Sequence, residues 1–384
     1  MKKTYTYGKQ SISWGDIWSV VKTLRSSHLT QGPKIQEFEQ ALCAYTGAKY
    51  AVALANGTAA LHLAALALDI KSGDEGITSP ITFMASANCI LYAGAKVQFA
   101  DIDPATALID SLEIEKKITP HTKVIIPVHF AGQSCDMEAI SALARKHNIA
   151  VIEDAAHAIG SLYKGTKVGS CTYSDMTIFS FHPVKTMTTG EGGAIMTNRK
   201  DLYDKLIQLR THGITRNADK LTHNDGPWYH EMQSLGFNYR MTDMQAALGV
   251  SQLKRLDAFV EHRRDLVEQY HREFAGDERF TLLQEHSDSK AAYHLCPLLI
   301  NFDKIKLNKK ELFASLAQQG LHLQVHYIPV HLQPFYQELG FKPGDFPHAE
   351  KYYQQALSLP LYVDLMPDDI KNIVKIIKET ACTK

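Results

Sequence analysis

Long apolar runs are missing from this sequence of 384 residues, and neither sign of charge is in excess. The apolar stretches are too short and too interrupted to span a bilayer, and residues 1–20 contain no apolar segment of the kind that marks a secretion signal. The 41 basic residues balance 41 acidic ones, without a long run of either sign. This balance gives no electrostatic indication that the protein binds nucleic acid or an acidic membrane surface. We therefore expect a cytoplasmic protein that binds small molecules.

Paired cysteines are missing as well. The six cysteines stand at positions 43, 89, 135, 171, 296 and 382, with no Cys-x-x-Cys pair and no histidine cluster at metal-ligand spacing. This spacing argues against the common zinc motifs and against a disulfide framework. It predicts free, buried thiols in a reducing compartment and no bound metal.

A regular alternation of strand and helix patterns fills the region from about residue 48 to residue 198. Such alternation is typical of an α/β domain, in which helices cover a mostly parallel sheet. Helices are predicted over Thr58–Leu68, which is apolar nearly all round, and over Asp136–His147. The predicted strands are Tyr50–Ala55, Val97–Ala100, Val124–Phe130, Ala150–Glu153, Met176–Phe181 and Ala194–Thr197.

A long helical pattern runs from Asp243 towards Phe274 and is expected to link two lobes. We expect an N-terminal arm over 1–15, a large α/β domain over 16–250 and a smaller α+β domain over 251–384. Within the large domain, Thr215–Gln233 is predicted to be a long loop, either functional or disordered. The elements predicted in the smaller domain are strand Tyr293–Ile300, helix Lys309–Gln319, strand Leu321–Tyr327 and helix Asp368–Thr380.

Two motifs follow predicted strands, where open α/β sheets place their ligands. In Asn56–Ala60 a strand turns through glycine into a helix, so free backbone N–H groups and the Thr58 hydroxyl could hold a phosphate. Thr58 could equally be an ordinary N-cap. In Glu153–His157 the Asp154 carboxylate could pair with a protonated pyridine nitrogen, or it could cap a helix or bind a metal or a ribose.

A third motif, Ser180–Lys185, leads into the glycine-rich turn Thr188–Gly193. A lysine that leaves a buried strand there can be partly desolvated, which lowers its pKa and frees the amine for imine formation. Ser180 could reach a phosphate bound by the same turn. The alternative is a surface lysine with a solvated charge.

A fourth motif, Gly236–Asp243, precedes the long helix. Its asparagine and arginine offer donors for a phosphate, whereas Thr242 or Asp243 can cap the helix.

Together the four motifs resemble the DegT/DnrJ/EryC1/StrS family of nucleotide-sugar aminotransferases. The resemblance extends from Leu29–Gly32 to His326–Pro329. It implies an aspartate-aminotransferase-like (fold type I) pyridoxal-phosphate transferase, with a mostly parallel seven-stranded sheet in the large domain. It also implies a homodimer with shared active sites.

The resemblance assigns cofactor roles to residues of this chain. It implies that Lys185 holds the cofactor as an imine and that Asp154 binds the pyridine nitrogen. Phe83 stands where the family stacks an aromatic ring on the cofactor, although it could also be a core residue, and His157 stands near the ring hydroxyl. The residues implied to bind the cofactor phosphate are Thr58, Ala59, Ser180 and, from the other subunit, Asn238.

The resemblance also points to a reaction and a substrate. His326 and Tyr327 would lie near the sugar or its phosphates, and Arg240 near an anionic end of the substrate. L-glutamate would be the amino donor. Lys185 argues against the dehydratase branch of the family, in which a histidine replaces this lysine. The turn Thr188–Gly193 is closer to members that act at C4 of a hexose than to those that act at C3.

Within the C4 group, three strings most resemble the branch that aminates a UDP-linked 4-keto sugar for pseudaminic acid. They are Ser180–Lys185, His129–Gly132 and Val325–Pro329. Other C4 sugar aminotransferases, of the perosamine, viosamine or bacillosamine type, are the first alternative. A non-catalytic nucleotide-sugar-binding protein is the second, and the intact Lys185 and Asp154 argue against it.

Overall fold

The computed structural model describes residues 3–382. A seven-stranded sheet forms the centre of the larger lobe, and its strand Gly193–Thr197 runs antiparallel to both neighbours while the others are mutually parallel. The predicted α/β class and mostly parallel sheet are thus confirmed. In spatial order the strands are Tyr50–Leu54, Gly193–Thr197, Met176–Ser180, Ala150–Asp154, Thr122–Ile126, Glu75–Thr78 and Lys96–Phe99.

The central strands are buried on both faces, which explains why they read as continuous apolar runs rather than as alternating patterns. Successive side chains of a strand point to opposite faces. Accordingly, Ile178 belongs to one hydrophobic layer, together with Ile77 and Phe99. Its neighbour Phe179 belongs to the layer on the other face, together with Phe38.

Helices cover both faces of this sheet. Helix Gly57–Ala67 is buried on nearly all sides, as its apolar sequence predicts. Helix Met137–His147 begins after Asp136, whose side chain accepts the Ala139 N–H, and ends at Asn148 in the left-handed conformation. The other helices of this lobe are Trp14–Leu24, Pro33–Thr46, Ala85–Tyr92, Ser111–Lys117, Lys200–Arg210 and Asp243–Leu253.

A second lobe has its own hydrophobic core, which draws on residues from Leu266 to Ala381 and on Tyr5. Strand Tyr5–Thr6 pairs in parallel with Leu321–His322, so the N-terminal segment is tied to this lobe. Its antiparallel sheet consists of Phe280–Leu282, Cys296–Ile300 and Ala356–Leu359. Helices Leu256–Phe274, Lys309–Gln318 and Pro367–Thr380 contribute to this core, whereas Pro334–Glu338 and Pro347–Gln355 place their buried side chains in the core of the larger lobe.

Short elements complete the chain. Two-residue strands form one small sheet from Leu162–Tyr163, Thr166–Lys167 and Ser289–Lys290, and another from Ile214–Thr215 and Glu231–Met232. The second of these closes the predicted loop Thr215–Gln233 into a hairpin. The 3-10 turns are Phe130–Gly132, Ala218–Lys220, Phe302–Lys304 and Val330–Leu332. No helix within residues 3–382 combines the length and apolarity needed to cross a membrane.

Several predicted elements were wrong in extent. The predicted helix from Asp243 to Phe274 is interrupted after Leu253, where the Arg255 guanidinium turns to pair with the buried Asp16. The predicted strand Leu321–Tyr327 forms a ladder only over its first two residues, with Tyr5–Thr6, and adds a single bridge between Gln324 and Ser358. Strand Glu75–Thr78 was missed.

The domain limits at residues 15 and 250 stay a prediction. Residues 1–2 of the predicted arm and residues 383–384 of the predicted C-terminal domain lie outside the described residues.

Candidate active site

A cavity of about 600 Å³ opens at the carboxyl ends of the central strands. Asp154 and Ser180 are the last residues of two neighbouring parallel strands, and their side chains line it. Ligands of open α/β sheets bind at this edge because the loops that follow the strands converge there. The predicted site residues that line the cavity are Thr58, Ala59, Phe83, Asp154, His157, Ser180, Lys185, His326 and Tyr327.

The first turn of helix Gly57–Ala67 forms one end of the cavity. The Asn56 side chain caps this helix by accepting the Ala59 N–H at 2.8 Å. The alternative that Thr58 is the N-cap was therefore wrong, and Thr58 lines the cavity instead. A Cβ on Gly57 would stand 2.9 Å from the Ser180 Cβ, so only glycine lets Ser180 lie against the helix start. Helix N-terminal N–H groups and two hydroxyls here suit a phosphate.

The Asp154 carboxylate is buried and held at both oxygens. Its Oδ2 accepts the Ser86 hydroxyl at 2.5 Å, and its Oδ1 accepts the Ala156 N–H at 3.1 Å. Each carboxylate oxygen has a second lone pair. A protonated ring nitrogen in the cavity could therefore bind Asp154 without displacing either donor.

Glu153, the neighbour of Asp154, points to the opposite face of the strand and has a structural role. Burial would raise its pKa, but hydrogen bonds from His129, at 2.7 Å, and from Ser174 and Thr177 outweigh it, so that the pKa is lowered. The Cys135 N–H donates to the Nδ1 of His129, which leaves the proton on Nε2. His129 therefore donates from Nε2 to Glu153, and this network anchors the strand that presents Asp154.

Lys185 lines the same cavity, so the alternative of a solvated surface lysine was wrong. Burial lowers the pKa of its ammonium group to about 8, while the negative charge of Asp154 raises it in part. A lysine with this pKa has a substantial neutral fraction near physiological pH. Neutral amines are nucleophiles and proton acceptors, which is what imine formation and proton transfer require.

Two histidines and a tyrosine, His157, His326 and Tyr327, form another part of the cavity wall. Burial, together with the charge on Lys185, holds the pKa of His157 well below its usual value and that of His326 at about 4. Burial also raises the pKa of Tyr327, whose hydroxyl lies 3.1 Å from His157 Nε2. All three side chains are therefore neutral. They offer hydrogen bonds to a ligand rather than charge.

Phe83 stands at the mouth of the cavity. It is 55% exposed, so the alternative of a core phenylalanine was wrong. Its ring centroid lies 6.3 Å from that of Tyr327, which also lines the cavity. An exposed ring at a cavity mouth is available to stack on a flat ligand.

Asn238 and Arg240 do not join the cavity wall of their own chain. Asn238 is exposed, and its backbone bridges to Thr211, while Arg240 bridges to Leu54 beside the sheet. Between them, Tyr239 does line the cavity, and its carbonyl accepts the Ala55 N–H at 2.9 Å. The motif thus contributes a residue that the sequence did not single out.

The sequence also missed Tyr7, Ser86 and His294, which line the cavity. Ser86 stands three residues after the predicted site residue Phe83, and a polar residue at that helical spacing was the only available signal. Tyr7 and His294 come from the N-terminal segment and the second lobe, and no local motif marks them.

The residues present fit pyridoxal phosphate. One cavity is lined by hydrogen-bond donors suited to a phosphate, by a carboxylate and by an amine of lowered pKa. His157 adds a buried Nδ1 that has no hydrogen-bond partner among the described residues.

Comparisons with known proteins agree with this fit. The model of the DegT/DnrJ/EryC1/StrS aminotransferase family matches residues 12–378. The spore coat polysaccharide biosynthesis protein SpsC of Bacillus subtilis is 42% identical over 97% of this chain and 96% of its own length. The UDP-4-amino-4,6-dideoxy-N-acetyl-beta-L-altrosamine transaminase of Campylobacter jejuni is 42% identical over 95% of this chain and 94% of its own length.

Solved structures are similar to this chain as well. Helicobacter pylori PseC, an aminotransferase involved in the biosynthesis of pseudoaminic acid, shares 34% identity at a TM-score of 0.91 over 99% of both chains. The putative sugar aminotransferase Spr1654 of Streptococcus pneumoniae, in its pyridoxal-phosphate form, shares 31% identity at a TM-score of 0.91 over 99% of both chains. The chain therefore belongs to the DegT/DnrJ/EryC1/StrS aminotransferase family and is a pyridoxal-phosphate-dependent sugar aminotransferase.

Proposed function

We propose that the enzyme transfers an amino group from L-glutamate to C4 of UDP-2-acetamido-2,6-dideoxy-β-L-arabino-hex-4-ulose. The product is UDP-4-amino-4,6-dideoxy-N-acetyl-β-L-altrosamine, a precursor of pseudaminic acid. The observation that carries the reaction type is the Lys185 amine, with a pKa of about 8, beside the Asp154 carboxylate in one cavity. The sugar is supported by the 42% identity to the altrosamine transaminase and by the likeness to PseC.

Lys185 is proposed to work twice. When bound, pyridoxal phosphate supplies an aldehyde carbon for an amine and a ring that delocalises the electrons left by a departing proton. Lys185 holds the group covalently at rest. The Lys185 Nζ, when free, would be the base that removes the Cα proton of the amino donor, and burial increases the neutral fraction that this task requires by lowering the pKa.

The other predicted contacts divide the cavity into two ends. Thr58, Ala59 and Ser180 are proposed to bind the phosphate at the helix start. In this arrangement a bound phosphate competes with the Asn56 side chain for the Ala59 N–H. His326 and Tyr327, on the opposite side, are proposed to face the sugar nucleotide.

The substrate assignment is tested with purified enzyme, L-glutamate and a panel of 4-keto sugar nucleotides carrying UDP, GDP or dTDP. Amino-sugar products are separated by liquid chromatography and identified by mass. We expect the UDP-linked L-arabino ketose to have the highest kcat/KM. Preferential turnover of a GDP or dTDP sugar would refute the substrate while leaving the aminotransferase intact.

A different C4 sugar aminotransferase is the second candidate. SpsC, which is named for spore coat polysaccharide biosynthesis, is as similar to this chain as the altrosamine transaminase is. The same panel distinguishes the two: the perosamine and viosamine types act on GDP- or dTDP-linked sugars, whereas the bacillosamine type acts on a UDP-linked 2-acetamido sugar that differs from the L-arabino ketose in ring configuration.

We also propose a cytoplasmic homodimer in which Asn238 of one subunit reaches the phosphate of the other. Its exposure on its own chain, outside the cavity wall, supports this arrangement. Asn238→Ala should weaken cofactor retention, and light scattering should give a dimer of about twice the chain's 42.9 kDa. Asn224→Ala, an exposed asparagine of the hairpin, is the control. A monomer, or equal retention in both variants, would contradict the shared site.

A further inference from the structure

A chain of hydroxyl groups ends on Asp154. The Thr82 Oγ1 lies 2.7 Å from the Ser86 Oγ, which in turn lies 2.5 Å from Asp154 Oδ2. The relative exposures of Thr82, Ser86 and Asp154 are 2%, 1% and 5%, so all three groups are almost fully buried. Ser86 is the second residue of helix Ala85–Tyr92, which fixes its backbone.

The protons of this chain have one consistent direction. An ionised carboxylate only accepts hydrogen bonds, so the single O–H of Ser86 must donate to Asp154. The Ser86 oxygen is then an acceptor, and Thr82 is its donor at 2.7 Å. A backbone carbonyl, that of Phe83, is 3.4 Å from Ser86 and is the weaker of the two possible acceptors.

We propose that Ser86 is a positioning residue for the reaction, which acts by holding Asp154 ionised and aimed at the ring nitrogen of the cofactor. Thr82 is the second member of this relay. A hydroxyl that donates to a carboxylate favours its ionised form, so the shared proton stays on the ring nitrogen rather than on Asp154. The inference rests on the proposed role of Asp154.

A stability measurement does not distinguish a positioning role of Ser86 from a merely structural one. Removing a buried hydroxyl lowers the free energy of unfolding by about 1 kcal/mol wherever it lies, since one hydrogen bond is lost. Only a positioning role changes the protonation of a ring nitrogen that Ser86 is not proposed to touch. The two roles are therefore separated by a measurement on that atom.

The probe is pyridoxamine phosphate labelled with ¹⁵N in the ring, which forms no imine with Lys185. Its dissociation constant and its ¹⁵N chemical shift are measured on the full-length wild type and on Ser86→Ala and Thr82→Val. The matched control is Ser161→Ala, because the Ser161 hydroxyl is equally buried and donates to the Gly132 carbonyl at 2.7 Å, outside the cavity wall.

We expect the ¹⁵N shift to move towards that of neutral pyridine in Ser86→Ala, less so in Thr82→Val and not in Ser161→Ala. Binding should weaken roughly tenfold in Ser86→Ala, the size of one hydrogen bond to a charged group. An unchanged ¹⁵N shift in Ser86→Ala overturns the inference, even if binding weakens. Thr82→Val, which keeps the side-chain shape, supplies the same test if Ser86→Ala fails to fold.

Asp154→Asn separates this inference from the proposed function. If Asp154→Asn moves the ¹⁵N shift and Ser86→Ala does not, Asp154 binds the ring nitrogen without help from Ser86, and only the positioning role is refuted. If Asp154→Asn leaves the shift unchanged, the proposed role of Asp154 fails, and the role of Ser86 fails with it.

Discussion

Lys185 and Lys309 are two lysines whose pKa burial lowers to about 8, yet their surroundings differ completely. Lys185 borders a cavity of about 600 Å³, with Asp154 close enough to raise its pKa in part. Lys309 begins a helix of the smaller lobe, donates to the backbone carbonyl of Tyr353 and lies 4.5 Å from the centroid of that tyrosine's ring. It does not line the active-site cavity.

The difference separates reactivity from function. Desolvation alone can raise the neutral fraction of an amine, and it does so at both lysines. What Lys185 has in addition is space for a ligand and a carboxylate that can bind the far side of that ligand. A lowered pKa therefore identifies a candidate, and the groups around it decide the chemistry.

The largest expected difference between the two lysines is seen when the amine of each is removed in turn. Lys185→Ala should lose the imine absorbance that borohydride bleaches in the wild type, and with it turnover, because no other lysine among residues 3–382 lines the cavity. Lys309→Ala should keep both. Absorbance spectra before and after borohydride, with turnover from L-glutamate, measure the contrast. An imine that persists in Lys185→Ala would place the covalent link elsewhere.

Asp154→Asn should have the next largest effect. The amide cannot keep the ring nitrogen protonated, so turnover should fall on the order of 10²-fold, as expected when a group that stabilises developing charge is lost. The imine should still form, because Lys185 is intact. Rates of both half-reactions, followed by stopped-flow absorbance, test this. Unchanged rates would remove Asp154 from the mechanism.

The sequence was sufficient for residues that stand in local motifs at strand ends. Lys185, Asp154 and Ser180 follow apolar strands, and the edge of a parallel sheet brings such positions together whatever the details of the helices. The cavity therefore contains most of the predicted residues. Periodicity also predicted the helix Met137–His147 and its Asp136 cap.

Contacts between distant segments could not be predicted from the sequence. Ser86 and Asp154 are 68 positions apart in the sequence but are hydrogen-bonded in the structure, and His157 and Tyr327, which are 170 positions apart, are hydrogen-bonded as well. No local pattern specifies such a pairing, because it depends on how helices are placed over the sheet. The Thr58 alternative failed for a smaller reason, since two neighbouring residues could each cap the helix and only the structure shows that Asn56 does so.

A pH titration sharpens the comparison between the lysines. In cofactor-free protein both amines should become reactive towards reductive methylation as the pH rises through about 8, because only the neutral form reacts. Asp154→Asn removes the charge that raises the pKa of Lys185, so its midpoint should move to lower pH while that of Lys309 stays. Peptide mass spectrometry across the pH range gives both midpoints. A parallel shift at both lysines would contradict the local origin of the effect.

The smallest effect is expected at the ring beside Lys309. Tyr353→Leu keeps the backbone carbonyl that accepts from Lys309 but removes the aromatic face 4.5 Å from its ammonium group. The free energy of unfolding should fall by about 0.5–1 kcal/mol, the usual size of a cation–π contact. Turnover should not change, and Tyr353→Phe, which keeps the ring, should match the wild type in both respects. Denaturant titration and turnover measure the two quantities. Lost turnover in a normally stable Tyr353→Leu would mean that the Lys309 region serves the reaction, and the contrast with Lys185 would no longer hold.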